Sequence, residues 1–124
     1  MPGTVLKADS VVKALHGSFC RDVTRQELLQ TAATKIHESG HPYAGVYIYL
    51  VGGDALELAA SAGPATDRTS IPTGTALKSD LVVLIRRHEA ILGEIAIESD
   101  VPEAFSEQEE DAVRRVADAL ASLL

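Results

Sequence analysis

The sequence predicts an α+β domain in which a central antiparallel β-sheet carries its N- and C-terminal helices on one face. Three observations lead there. Two pairs of segments alternate apolar and polar residues with the period of a half-buried strand, and a short turn-forming link joins each pair. Two S/T-x-x-E signatures, Thr24-Arg25-Gln26-Glu27 and Ser106-Glu107-Gln108-Glu109, each precede a run with helical spacing. At 124 residues the chain suits one domain, 1–124, that buries roughly two-thirds of the surface its unfolded form exposes and needs no metal or disulfide to hold it.

The elements follow in order. Val5, Val12 and Leu15 fall at helical spacing and predict a first helix over Val5 to Leu15, although Asp9, Ser10 and the adjacent Val11 and Val12 disturb the pattern. Behind the first capping signature, Leu28, Leu29, Ala32, Ala33 and Ile36 share one face of a second helix, and Gly40 stops it. Tyr43 to Val51 alternates, with Val46, Ile48 and Leu50 on one side and Tyr43, Gly45, Tyr47 and Tyr49 on the other. Gly52-Gly53 then turns the chain into a second strand, Ala55 to Ala62. Gly63-Pro64-Ala65-Thr66-Asp67 carries turn chemistry, and Thr69 to Pro72 suits a short third strand. Leu81 to Arg86 and Ile91 to Glu98 form the second hairpin, with Arg86, Arg87 and His88 as a solvated tip. After Ser106, the residues Val113, Val116, Ala117, Leu120 and Leu123 keep a three-four rhythm to the end, and Glu110–Arg114 and Asp111–Arg115 make i,i+4 pairs on its exposed side.

Composition excludes several functions. A net charge of −7 and a pI near 4.9 repel a phosphate backbone, and no Lys/Arg stripe with interleaved aromatics overrides that field, so nucleic acid is not an expected partner. The longest apolar run, Leu81 to Ile85, is far too short to cross a membrane, and the N-terminus lacks a signal-peptide pattern. The single cysteine, Cys20, suits a reducing compartment, so the expected setting is cytoplasmic. No phosphate loop, Ser/His/Asp arrangement or zinc-ligand spacing is present, and no cofactor is expected. His37 and His41 have the interval of a metal pair, but Gly40 ends the helix between them, and a histidine near a helix C-terminus is explained by the dipole.

Five pieces in order resemble a GAF domain: Tyr-Ala-Gly-Val-Tyr-Ile-Tyr-Leu at 43–50, Leu-Glu-Leu-Ala-Ala-Ser-Ala-Gly at 56–63, Ile-Pro-Thr-Gly at 71–74, Ser-Asp-Leu-Val-Val at 79–83, and Gly-Glu-Ile-Ala-Ile-Glu-Ser-Asp through Ala-Phe-Ser-Glu at 93–107. The resemblance implies a sensor of small molecules or a dimerisation module, and one branch of the family reduces free methionine-(R)-sulfoxide. It also implies that a helix-bearing segment should cover the ligand between the Ile-Pro-x-Gly turn and the next strand. Here only Thr75-Ala76-Leu77-Lys78 stands between them, which predicts a shallow groove or an exposed sheet face in place of an enclosed pocket.

Tyr-Ala-Gly-Val-Tyr is similar to a strand of the reductase branch, and Asp80 and Glu98 match two of its pocket carboxylates, while Ala96 stands where a third is expected. Cys20 does not correspond to the branch's cysteines, and sulfoxide reduction by thiol chemistry needs a thiolate and usually a resolving thiol. The chain is therefore read as a non-catalytic signalling or interaction module that self-associates, as a homodimer, through its terminal helices or its open sheet face. A small-molecule sensor is the alternative, with Tyr43, Tyr47, Asp80 and Glu98 as ligand-binding residues, and the reductase comes third. Tyr43 and Tyr47 are expected on the same face as Asp80, Glu94 and Glu98, suited to stacking or a cation–π contact.

Overall fold

Seven elements build the fold: α1 (Ala8–Cys20), α2 (Arg25–Glu38), β1 (Gly45–Gly52), β2 (Ala55–Ala62), β3 (Ser79–Arg87), β4 (Ala90–Ser99) and α3 (Glu107–Leu123). They belong to a computed structural model that describes residues 6–20, 23–40, 43–63, 79–99 and 103–124, the side chains of Phe19, Cys20 and Ser79 excepted. The expected third strand at Thr69 to Pro72, the shortened link at Thr75 to Lys78, and His41 lie outside the described residues.

The strands form one four-stranded antiparallel sheet in the order β2-β1-β4-β3. Each predicted hairpin is present, with Gly53-Asp54 turning between β1 and β2, and Gly53 supplying the left-handed φ of 68°. Both hairpins carry a register shift, one at Ile48/Tyr49 and one at Ile85/Arg86. The extra residues are Ala59 in β2 and Leu92 in β4, and both pack against the core.

One face of the sheet is dry. Val46, Ile48, Val83, Ile85, Ile95 and Ile97 meet Leu28, Leu29, Ala32, Ala33 and Ile36 of α2, and Val113, Val116, Ala117 and Leu120 of α3, in a single buried cluster. Helix α2 lies on the β1–β2 half, α3 on the β3–β4 half, and α1 packs against both helices. Thr24 forms the predicted capping box, its hydroxyl accepting from the Glu27 N–H while the Glu27 carboxylate accepts from the Thr24 N–H, both at 3.0 Å. Gly40, at φ 95°, ends the helix as predicted.

Three local expectations are corrected. Ser106 caps α3 by accepting from the Glu109 N–H at 3.2 Å, but Glu109 does not complete a box. Its side chain is buried and turned inward, taken up by Tyr43 and by the Leu6 N–H at 3.3 Å. Arg115 pairs with Asp9 of α1 in place of Asp111, while Arg114 reaches both Glu110 and Asp111, at 2.6 and 3.1 Å. The hairpin tip is solvated only in part, because Arg87 donates from Nε and Nη2 to the Ala121 carbonyl at 3.0 and 2.5 Å. That carbonyl lies in the last turn of α3.

Candidate functional site

The face of the sheet turned away from the helices holds the chemistry. Cross-strand pairing arranges its residues in rows. Gly45, Glu98 and Asp80 form one row, then Ser61, Tyr47, Ala96 and Val82, then Leu58, Tyr49, Glu94 and Leu84, and finally Leu56 and Val51 beside the β1–β2 turn. Three of the four candidate ligand-binding residues, Tyr47, Asp80 and Glu98, therefore lie in adjacent rows at one end of this face.

Tyr43 does not join them. Regular pairing begins at Gly45, and a turn closed by the Tyr43 N–H donating to the Gly40 carbonyl at 2.8 Å precedes it. His37 Nδ1 donates to the Tyr43 carbonyl at 2.9 Å and holds the same turn. The strand alternation consequently stops short of Tyr43, and its ring is buried in the helix-side core, 5.6 Å from the Phe105 ring centroid. Its hydroxyl donates a short hydrogen bond to Glu109 Oε1. Burial, with the Glu109 carboxylate beside it, pushes the Tyr43 phenol well above its ordinary value.

Tyr47 is fully buried although it stands on the face opposite the helices. The neighbouring glycine explains how its ring lies. A Cβ at Gly45 would sit 3.2 Å from the ring edge and 3.3 Å from the hydroxyl of Tyr47, so the ring extends along the strand over Gly45. That places the aromatic ring above the row that contains Glu98 and Asp80. Ala96, paired with Tyr47, is buried too, Glu98 is half-buried, and Asp80 is exposed. Among the described residues, no group of three or more His, Cys, Asp or Glu is arranged to hold a metal ion.

The other end of the face departs from the expectation of solvated carboxylates. Val51, Leu56, Leu58, Val82 and Leu84 project from it between 39 and 50 % exposed, with Ile91 at 47 % near the β3–β4 turn. No other large apolar side chain among the described residues is comparably exposed. Glu94 is the carboxylate set among them, directly between Tyr49 and Leu84. A signal for this patch was present in the sequence: Leu81 to Ile85 is apolar at five successive positions, which in a strand means that both faces are apolar. Among the described residues of α3, Leu120 is buried and Leu123 and Leu124 pack against the core.

No family model and no curated protein matches the sequence. Solved structures do match. A type II free methionine-R-sulfoxide reductase from Thermoplasma acidophilum superposes with a TM-score of 0.71 at 23% identity, over 80% of this chain and 90% of that one. A free methionine-R-sulfoxide reductase from Neisseria meningitidis, in complex with its substrate, gives 0.76 at 17% identity over 99% and 91%. The phycocyanobilin-bound GAF domain from a cyanobacterial phytochrome gives 0.79 at 13% identity over 94% and 93%. Sheet order, helix placement and these superpositions agree: the chain has an α+β GAF-like fold, the architecture shared by sensory GAF domains and free methionine-R-sulfoxide reductases.

Proposed function

We propose that this chain is a non-catalytic interaction module of the GAF type whose contact surface is the open sheet face. The observation that carries the reading is the concentration of exposed apolar side chains on that face, with the helices' apolar stripes already used inside the domain. A sheet is a two-sided element, and an apolar second face is stable in water only at a cost that a further layer removes. Self-association is one way to supply that layer, and this face, not the terminal helices, is the surface for it.

A double variant, Leu58→Ser with Leu84→Ser, tests the reading. Both side chains are about half exposed, so the fold should survive with an unfolding temperature close to that of the parent, while binding of an apolar-surface dye and any concentration-dependent association should fall. Dye binding unchanged in the variant would place the sticky surface elsewhere. Turnover of free methionine sulfoxide with a thiol reductant would overturn the non-catalytic part of the reading.

A second reading, a small-molecule sensor, draws support from the other end of the face. Asp80 and the half-buried Glu98 pair across β3 and β4 there, beside the fully buried Tyr47, whose ring extends over Gly45. Such a row of carboxylates suits a cationic ligand held by charge. A ligand at about one hundred times its dissociation constant should add roughly 2.7 kcal/mol to stability, readable as a thermal shift that Asp80→Asn removes.

A further inference from the structure

The two edges of the sheet differ. On the β2 edge, Gln26 and Gln30 of α2 take up the Ala59 and Ser61 carbonyls. β3 forms the other edge, and among the described residues its one neighbour in the sheet is β4. Over nine residues it carries five successive apolar positions, Leu81 to Ile85, without a proline, glycine or charge among them, so the usual guards of an edge strand are missing there. The register shift at Ile85/Arg86 places its extra residue in β4, which leaves β3 itself uninterrupted. Beside this edge runs a groove of about 390 Å³, lined by Val82, Val83, Leu84 and Arg86 together with Arg114 and Asp118 of α3.

Outwards from Val83, β3 complements its own reverse: Val82 mirrors Leu84, Leu81 mirrors Ile85, and the exposed Asp80 mirrors the exposed Arg86. We infer that a second copy of this chain pairs with β3 edge to edge and antiparallel, about a two-fold axis at Val83, joining two sheets into one. An axis normal to the sheet keeps both open faces on one side. Val82 then stands beside Leu84 of the second copy on that face, Leu81 beside its Ile85 on the helix side, and Asp80 beside its Arg86 at each end. Asp80 already faces Glu98 across β4, so the added guanidinium brings a cation to a row that holds two carboxylates. Moving the axis by one residue, to Val82 or to Leu84, sets Asp80 against Leu84 or Arg86 against Val82, so charge selects the register. Arg114 and Asp118 lie one turn apart on α3 above the same groove, and the axis brings Asp118 of each copy toward Arg114 of the other. From Asp80 to Arg86 about 20 Å of strand is paired, with about six main-chain hydrogen bonds. The contact is lateral and separate from any layer placed on the open face, whose two apolar patches it joins at Val82 and Leu84.

Sedimentation and amide exchange of the full chain over a concentration series test the assignment. The parent should form a dimer, and the amides of Leu81 to Ile85 should gain protection as concentration rises while those of α2 do not. Asp80→Arg or Arg86→Asp alone sets like charges opposite each other at both ends of the contact and should weaken the dimer about tenfold or more. An equimolar mixture of these two variants should recover the parent's affinity, because the mixed pair restores opposite charges at both ends. Leu58→Ser, on the open face but away from this edge, should lower dye binding and change dimer affinity less than about twofold. A monomer at every concentration overturns the proposal, as does a dimer without added protection in β3. Made on the parent alone, the exchange measurement decides the matter even where a variant does not fold. A dimer that neither charge variant weakens, or a mixture that binds no more tightly than its components, also overturns it. A dimer lost to Leu58→Ser and indifferent to the charge variants overturns the edge contact and moves the association to the open face. Protection in β3 with recovery in the mixture supports the edge contact even if Leu58→Ser leaves dye binding unchanged, a result that counts against the open-face reading alone.

Discussion

Tyr43 shows how one side chain can be placed by contacts that alternation does not reveal. Counted along the strand, it belongs with Tyr47. A turn before Gly45 instead sends it into the helix-side core, where it meets Glu109 from a position 66 residues away and Phe105. Folding removes the phenol from water beside a carboxylate, so its ionised form is disfavoured in the folded state more than in the unfolded one. The raised value means that this contribution is fully present below the ordinary value of 10.0 and is lost as pH rises above it. Stability should therefore fall above about pH 10 in the parent, and Tyr43→Phe should shed part of that dependence. At neutral pH the same variant loses a hydrogen bond to a charged group and should be less stable by about 1.5–3 kcal/mol in urea unfolding. Gly93 is a second case. A Cβ there would stand 2.0 Å from the Tyr49 carbonyl oxygen, so the two central strands must separate to accept one. Gly93→Ala should cost about 1–3 kcal/mol, read as a lower denaturation midpoint.

At the scale of the element, local chemistry sets the boundaries and distant contacts decide how they are completed. Thr24 and Ser106 each cap a helix as their sequences predict, but only the first builds a reciprocal box, because Glu109 is drawn into the core while Glu27 remains outside. Ser106→Ala should destabilise the protein by about 1 kcal/mol, with the loss seen as faster amide exchange in the first turn of α3. Glu27 is held below its ordinary value of 4.5, first by the Thr24 N–H and then by the Thr24 hydroxyl. Its contribution is therefore present above pH 4.5 and fades as pH falls below that, and amide exchange at the start of α2 should quicken on acidification. On the sheet edge, Gln30 of α2 donates to the Ser61 carbonyl at 2.8 Å, and Gln26 donates to Ala59. The helix thereby occupies acceptors that an edge strand would otherwise offer to a second chain.

For the whole molecule, the asymmetry between the two sheet faces is the property with functional consequence. The helix side is a closed core, and the other side combines a buried aromatic ring, three carboxylates and a half-exposed apolar patch. Replacing Val82 and Leu84 with threonine should keep the strand, since both are β-compatible positions, and should raise the concentration at which the protein begins to scatter light. No helix is long and apolar enough to cross a membrane among the described residues.

The segments of β1 to β4, the capping residues Thr24 and Ser106, the turn at Gly53 and the GAF-like order of these elements were legible in the residues themselves, because each depends on neighbours within a few positions: period-two alternation, a hydroxyl three residues before a carboxylate, a glycine where φ is positive. Tertiary structure alone decided that Tyr43 leaves the candidate site, that Glu109 abandons its cap, and that Arg115 crosses to Asp9. It also gathered Val51, Leu56, Leu58, Val82 and Leu84 from three strands into one exposed surface. Those outcomes depend on which face the helices cover and on register shifts between paired strands, and neither is written in any single stretch of chain.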